Sequence, residues 1–572
     1  MFLTNYLKEH QLLPPALITK LRDKAALSRT SAFCEVWNDS TAEIYEIDYM
    51  KLEEWALAAA SEASVPLIAL RDTKGYEPDL DRYGRIGGVS DHNKDLYLLL
   101  KETKTGKRMI VTNRPDDPST RGQLKNHYNG DDYTYCICTP AIYQSLYSFY
   151  IEPLIVAKTA ASVSMGSAGF GALDAVQDSE GRKLWRNLMN IGIERHASDI
   201  HFIPMSNACR ILYRIDGTNV MYTEIPLDVL ERVGNILKNE AKVQIKNPKD
   251  PIDGKARYSP SGAPNDPNAI DIRLSIIPAK FGSDINIRYL PSKLYTFEEI
   301  GMSPENIKRY KGLLELPSGL IVQVGPTGSG KSTTLYAGLK HISQDNLNII
   351  TAEDPVEILM DGISQIDVDD THLTFEMALK AMLRHDPDVI VVGELRDKAT
   401  AELAVRAANT GHLVLTSLHT NDSIGAFERM INMGVDNYAL GEVVAAVMGQ
   451  RLVRRLCPHC KKPYKLKYNT PTAAFYGLGA EEGEGTFYRP HGCVHCKNTG
   501  YDGRVAINEI LIVDSDLRLA IQRHSVRRVF EDHLRKRKFR TMYHDGLQKA
   551  IDGITSLEEL TQYASDAIAF KG

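Results

Sequence analysis

Leu320-Ile-Val-Gln-Val324 runs directly into Gly325-Pro326-Thr327-Gly328-Ser329-Gly330-Lys331-Ser332, and a helical pattern opens at Thr333. A short apolar strand, a glycine-rich turn and a helix, in that order, form a cradle for phosphate. Glycines let consecutive backbone N–H groups face one anion, and the helix N-terminus adds positive potential. Lys331 is placed to reach the β- and γ-phosphates, and the Ser332 hydroxyl to ligate magnesium. The motif Gly325–Thr333 therefore predicts a nucleoside triphosphate site. Guanine-specific Asn-Lys-x-Asp is missing, since Asn93-Lys94 continues as Asp95-Leu96. Outward from this loop, apolar runs at Asn348–Thr351, Val389–Val392 and Leu413–Ser417 alternate with helical patterns. That rhythm predicts an α/β core over 319–450, a parallel sheet with helices on its faces.

The acids and histidines beside these strands are the candidates for chemistry. Val389–Val392 ends in Gly393-Glu394. An acid at the carboxyl end of a buried parallel strand lies where ligands bind in an open sheet. Glu394 is thus the first candidate for the base that orients and deprotonates the attacking water, with a share in holding magnesium. Glu353, Asp354 and Glu357 follow the neighbouring strand. Here Glu353 is expected at the magnesium edge, and Glu357 is the second candidate base. His412 and His419 flank the run Leu413–Ser417 and are expected to sense the γ-phosphate.

Two Cys-x-x-Cys pairs, Cys457/Cys460 and Cys493/Cys496, stand 32 residues apart. Each can present two thiolates to one side of a tetrahedral Zn²⁺, and four thiolates leave no position for water, so the site would be structural. Redox-active thiols are the alternative, but neither pair opens a thioredoxin-like βαβ unit. Cys34, Cys136, Cys138 and Cys209 read as buried or incidental thiols. Basic runs flank the quartet: Arg451, Arg454, Arg455, Lys461, Lys462 and then Arg535–Lys538. They read first as a solvated helix face, with contact to anionic lipid or an acidic partner as the functional alternative.

A chain of 572 residues is too long for one core, and 43% hydrophobic with 25% charged residues is ordinary globular composition. A formal charge of -5 gives no support to a polyanion binder, so no nucleic acid is expected. The start meets charge and proline too early for a secretory signal, and no apolar run is long enough to span a bilayer. Eight cysteines cannot scaffold such a chain, which points to a reducing compartment. Residues 1–155 read as an α+β domain: short helices around Pro14-Pro15, another over Leu52–Ala63, and apolar patches at Val65–Leu70 and Arg108–Val111. The small-residue stretch from Ala160 to Leu173 reads as linker (156–173). A second α+β domain, 174–290, follows, with helices Arg182–Glu194 and Leu227–Ala241. Its strands are Ile200–Ile203, Arg210–Arg214, Ile270–Ile276 and Ile285–Tyr289. A connection at 291–318 leads to the core, then a cysteine-bearing subdomain at 451–510 and a helical region at 511–572.

These motifs together resemble the secretion ATPase superfamily of type II secretion and type IV pilus assembly. The matching segments are GPTGSGKSTTLYA at 325–337, TAEDPVE at 351–357, DPDVIVVGELRD at 386–397 and TGHLVLTSLHTNDS at 410–423. ASDIHFIP at 197–204, YRIDG at 213–217 and FRTMYHDGLQKAIDGITSLEEL at 539–560 extend the likeness to roughly 174–565. The resemblance implies a RecA-like motor domain preceded by a PAS-like domain, working as a cytoplasmic homohexamer on the inner membrane face. It implies ATP, Mg²⁺ and a structural Zn²⁺, the last in the secretion and extension branches and not the retraction branch. It also implies phosphate-clamping arginines at Arg210, Arg214, Arg273 and Arg288, with Arg384 a further one. Partners would be an inner-membrane platform protein and, through residues 1–155, a membrane-associated docking protein. Relatives whose first domain binds cyclic-di-GMP carry Arg-Leu-Gly and a later glycine. Phe2-Leu3-Thr4 and His10-Gln11 depart from that pattern, which argues against this ligand. The expected function is assembly of a type IV pilus. The alternatives are a type II secretion pseudopilus motor and a nucleotide-gated scaffold that does not hydrolyse.

Overall fold

A computed structural model describes residues 9–10, 68–69, 76–80, 97–112, 133–138 and 140–165 of the N-terminal part. It then describes 173–563 apart from 242–249, 264–265, 267, 291–292, 344–345, 370–371, 479–482, 494 and 497–498. The helices expected around Pro14-Pro15 and over Leu52–Ala63, and Cys34, lie outside the described residues. The chain divides into two units, Met1–Tyr289 with Gly492–Thr499, and Leu290–His491 with Gly500–Gly572.

The first unit holds two sheets. One has five strands, β1 (Ile68–Ala69), β2 (Tyr76–Pro78), β3 (Leu98–Glu102), β4 (Arg108–Thr112) and β5 (Tyr133–Ile137), ordered β1-β5-β4-β3-β2. Leu98–Leu100, Ile110 and Val111 are its core. The other has six strands, β6 (Ala197–Pro204), β7 (Cys209–Ile215), β8 (Thr218–Ile225), β9 (Ile252–Tyr258), β10 (Ile270–Ala279) and β11 (Gly282–Tyr289). They are all antiparallel, ordered β8-β7-β6-β11-β10-β9. Period-two alternation puts Ile200, Phe202, Ile211, Tyr213, Leu274 and Ile287 on one face, under helices Leu173–Glu194 and Leu227–Glu240. Strands β8 and β9 were missed because their exposed residues break the apolar run. The expected linker is a different matter. A helix runs over Glu152–Met165, with Val156 and Ala160 buried in the six-stranded core and Glu152 paired to Arg195 at 3.0 Å. Small residues suit close helix packing as well as flexibility, and composition alone does not separate the two.

The second unit is built on β12 (Gly319–Val324), β13 (Ile349–Glu353), β14 (Ser364–Asp367), β15 (Val389–Val392), β16 (Leu413–Leu418), β17 (Val444–Leu456) and β20 (Tyr501–Ile512). The order is β14-β13-β15-β16-β12-β17-β20, parallel except for the antiparallel β17–β20 pair. Every residue of β12, β13, β15 and β16 is buried, as a sheet covered on both faces requires. The expected connection at 291–318 contains helices Phe297–Ile300 and Pro304–Leu314. Their starts carry local signals, a Thr296/Glu299 capping box and Ser303 before Pro304. Strand β17 begins inside the core and continues past residue 451, so the cysteine-bearing segment grows out of the seven-stranded sheet. It holds a hairpin of β18 (Lys462–Lys467) and β19 (Glu484–Arg489). The terminal helices are core elements too. Phe530 stacks on Phe427 with centroids 5.6 Å apart, and helix Met542–Ile551 packs with Leu557 and Leu560 under the hairpin.

Candidate functional site

Parallel strands bring their carboxyl ends to one edge, and that edge collects the loop after β12, Asp354 after β13, Glu394 after β15 and His419 after β16. Cross-strand bonds lock it: Thr416 Oγ1 donates to the Val392 carbonyl at 2.8 Å, and Ser417 Oγ to that of Gly393 at 2.7 Å. Gly328 and Gly330 have φ of 77° and 84°, the left-handed region where glycine alone is unstrained. Helix Lys331–Ile342 starts at Gly330, so its first amides and its dipole face the loop. The Lys331 ammonium turns back onto the loop, donating to the carbonyls of Gly325 at 2.8 Å and Pro326 at 3.2 Å. Burial pulls its pKa down to about 8, Glu394 opposes this and Arg451 adds to it. The buried Ser329 hydroxyl has no hydrogen-bond partner among the described residues. Amides, a helix terminus, a buried cation and a spare hydroxyl around one hollow are a donor set that fits a triphosphate.

Glu394 is held from two sides. His419 Nε2 lies 3.1 Å from one carboxylate oxygen, and the Arg396 guanidinium grips the other. Arg396 also reaches Asp354, 2.9 Å away, and lies over the Phe375 ring at 5.7 Å. Sequence reasoning missed Arg396. Its signal was local: two residues beyond Glu394, it can bond that carboxylate once the chain turns at the strand end. Asp397, one further on, caps helix Lys398–Asn409 through the Thr400 amide.

Four expected placements differ, those of His412, Glu353, Arg384 and Arg451. His412 precedes β16 and His419 follows it, so a six-residue strand separates them by roughly 20 Å. His412 lies at the amino-terminal edge, Nδ1 2.9 Å from the Ala407 carbonyl and 3.2 Å from Thr410 Oγ1. There it closes the end of a helix and cannot touch the phosphate of its own loop. Glu353 is buried, and its carboxylate accepts from Tyr336, from Thr351 at 2.7 Å and from Gln365 at 3.3 Å. Both oxygens are engaged by these protein donors. Arg384 is exposed before β15, at the edge opposite Glu394. Glu357 is exposed, with its amide donating to the Tyr336 hydroxyl at 3.1 Å. Ser332 and Thr333 stand in the first turn of the loop's helix. Arg451, expected on a solvated helix face, is a buried residue of β17. It donates to the Asn421 carbonyl at 2.6 Å, beside a cavity of 560 Å³ that borders Pro326–Ser329.

Four of the arginines expected to clamp phosphate, Arg210, Arg214, Arg273 and Arg288, lie on strands of the six-stranded sheet. Register aligns Asn219, Arg214, Asp199, Arg288, Arg273 and Lys255 in one row across all six strands. Asp199 is the sole acid in the row, 2.9 Å from Arg288 and 4.0 Å from Arg214. The row therefore carries a net positive charge. Arg210 stands apart, bonded through Nε and one terminal nitrogen to Glu224 at 3.2 and 3.1 Å.

Cys457 and Cys460 follow β17, Cys493 and Cys496 precede β20, and one ligand atom from each lies within 4.8 Å of the rest. The Cys493 and Cys496 sulfurs are 3.7 Å apart, far beyond a disulfide bond. A tetrahedron with Zn–S near 2.3 Å has edges of about 3.8 Å, so the thiols fit that ion.

The chain matches the family described as "Type II/IV secretion system protein" over residues 175–562. It is 39% identical over 389 residues to the type IV pilus assembly ATPase PilB of Thermus thermophilus, covering 67% of this chain and 43% of that one. It is 37% identical over 397 residues to the type II secretion system protein E of Dickeya dadantii, covering 69% of this chain and 78% of that one. The chain thus spans less than half the length of the first relative and about four fifths of the second. Among solved structures, the ATPase DotB of Legionella pneumophila is similar in fold, with a TM-score of 0.50 at 21% identity, covering 66% of this chain and 95% of that one. The phosphate loop, the Glu394 cluster and the four cysteines sit within the matched span, and the chain belongs to the type II/IV secretion system protein family.

Proposed function

We propose that the chain is a Mg²⁺-dependent ATP hydrolase that acts as a cytoplasmic homohexameric motor and drives extension of a type IV pilus. The observation that carries this is the convergence of Lys331, Glu394, His419 and Arg396 on one carboxyl edge. The loop amides and Lys331 bind the β- and γ-phosphates. Glu394, oriented by His419 and Arg396, draws a proton from a water whose oxygen attacks the γ-phosphorus. The bond to the bridging oxygen breaks, and ADP leaves with the charge it gains held by the loop. Ser332 and Glu394 are the residues that would hold magnesium, which would supply neutralising charge when bound. The row Arg214, Arg288 and Arg273 is the source of clamping cations, since charge on the equatorial oxygens is most of what phosphoryl transfer requires.

Domain closure on ATP and reopening after hydrolysis would convert differential affinity into movement. No helix among the described residues is long and apolar enough to cross a membrane. Action on a membrane machine then proceeds by docking, to an inner-membrane platform protein and, through residues 1–155, to a membrane-associated partner. A zinc at the four cysteines would favour the secretion and extension branches over the retraction branch. A type II secretion motor is the alternative that relatives of nearly equal identity also support.

The test is ATP turnover per subunit against protein concentration, with mass determined on the same samples, for wild type and Glu394→Gln. A rate that rises with hexamer and falls at least about a hundredfold in the variant supports the motor. Equal, negligible rates in both would leave a nucleotide-gated scaffold instead.

A further inference from the structure

Gln450 lies on β17 directly behind the phosphate loop and is buried. Its Nε2 donates to the Ser329 carbonyl at 2.9 Å. Its Oε1 accepts from Thr334 Oγ1 and from Asn508 Nδ2, both at 2.8 Å. The side chain thus ties the last turn of the loop to the first turn of the helix after it. A Cβ on Gly330 would come 2.8 Å from Gln450 Nε2, and one on Gly325 2.6 Å from the Gln450 carbonyl. Two loop glycines are therefore required by what stands behind them as well as by what binds in front.

The bond to Ser329 has a directional consequence. A trans peptide is planar, with its C=O and N–H pointing opposite ways. Holding the Ser329 carbonyl back against β17 aims the Gly330 N–H away from β17, toward the hollow. Gly330, with no Cβ, could otherwise let this peptide turn over and present an oxygen to the phosphate. We propose that Gln450 is a positioning residue for ATP, whose amide fixes the polarity of the Ser329–Gly330 peptide in the phosphate-binding loop.

The residue is anchored from behind. Asn508 is its cross-strand partner, the Asn508 amide donates to Asp545 at 2.9 Å, and Asp545 pairs with Lys549 on the terminal helix. A chain of buried polar contacts thus runs from helix Met542–Ile551 to the loop. Turning the Gln450 amide over would break its bonds to Thr334, Asn508 and Ser329 together, which resists rotation.

The inference rests on the nucleotide site described above. Gln450→Glu keeps size and the two accepted bonds but removes the donor to Ser329. Thr334→Val removes a bond to Gln450 while leaving that donor in place, and serves as control. Binding of ATP, ADP and inorganic triphosphate is measured on the full chain, with unfolding midpoints without ligand and the KM and kcat of turnover. Expected are dissociation constants and KM raised about tenfold for all three ligands in Gln450→Glu, the equivalent of one lost hydrogen bond. The kcat stays within about threefold and the variant remains folded without ligand, at a lowered midpoint, while Thr334→Val stays within about twofold in affinity. A folded Gln450→Glu that binds as wild type overturns the inference. Should that variant not fold, Gln450→Met is compared with Thr334→Val, and equal affinities overturn it. Failure of wild type itself to bind triphosphate would instead sink the nucleotide site.

Discussion

Lys549 and Asp545 form a buried pair on the terminal helix, their side chains 7% and 10% exposed. Lys549→Met removes the cation and leaves the Asp545 carboxylate in a low-dielectric interior, with the Asn508 amide as a neutral donor at 2.9 Å. Removing one partner of such a pair costs about 3–5 kcal/mol, because the remaining charge has lost both water and its counterion. In a unit of this size that is a fall of about 6–20 °C in unfolding midpoint. The double variant Asp545→Asn/Lys549→Met removes both charges, and the side-chain amide oxygen it places at that position can still accept from Asn508. It is expected to regain most of the loss, ending within about 1–2 kcal/mol of wild type. Thermal and urea unfolding of wild type, the two single variants and the double variant measure this as a cycle. If Lys549→Met cost less than about 1 kcal/mol, or the double variant were no better than the single, the pair would be a surface contact and the argument wrong.

His419→Ala is expected to lower kcat about tenfold or more with KM little changed, because Glu394 loses an orienting partner. His412→Ala, at the other end of the same strand, is expected to shift unfolding by about 1 kcal/mol and leave kcat unchanged; equal kinetic losses would return His412 to the phosphate edge. Glu353→Gln should destabilise the sheet by about 1–3 kcal/mol, since an amide cannot accept from Tyr336, Thr351 and Gln365 together, while magnesium dependence of turnover stays as it was. A shifted magnesium optimum would restore Glu353 to the metal. Atomic absorption should find one zinc per chain, lost in Cys493→Ser along with several degrees of thermal stability; a metal-free wild type of unaltered stability would remove the zinc reading.

Short-range signals carried most of the core. The strand before Gly325 and the helix after Ser332 are local patterns, and the buried strands at 349, 389 and 413 announced a sheet covered on both faces. Boundaries and additional strands fared worse where residues are partly exposed, as in β8 and β9, because the apolar period is diluted there. Helix Glu152–Met165 was hidden by its small residues, whose packing depends on what lies opposite.

What the sequence by itself determined is the chemistry available: a phosphate loop, a strand delivering Glu394, two cysteine knuckles and the arginines of a second sheet. Those are properties of residue type and spacing along one strand or turn. Tertiary structure alone decided which of these groups meet. Strand direction put His419 at the edge with Glu394 and carried His412 to the other end. Tyr336, Thr351 and Gln365 closed around Glu353, and antiparallel register gathered Arg214, Arg288 and Arg273 into a row. Arg396 and Gln450 acquired roles only because a strand end and a neighbouring strand brought them against the site. Contacts between residues far apart in sequence depend on register and crossover, which leave no local trace in composition or period.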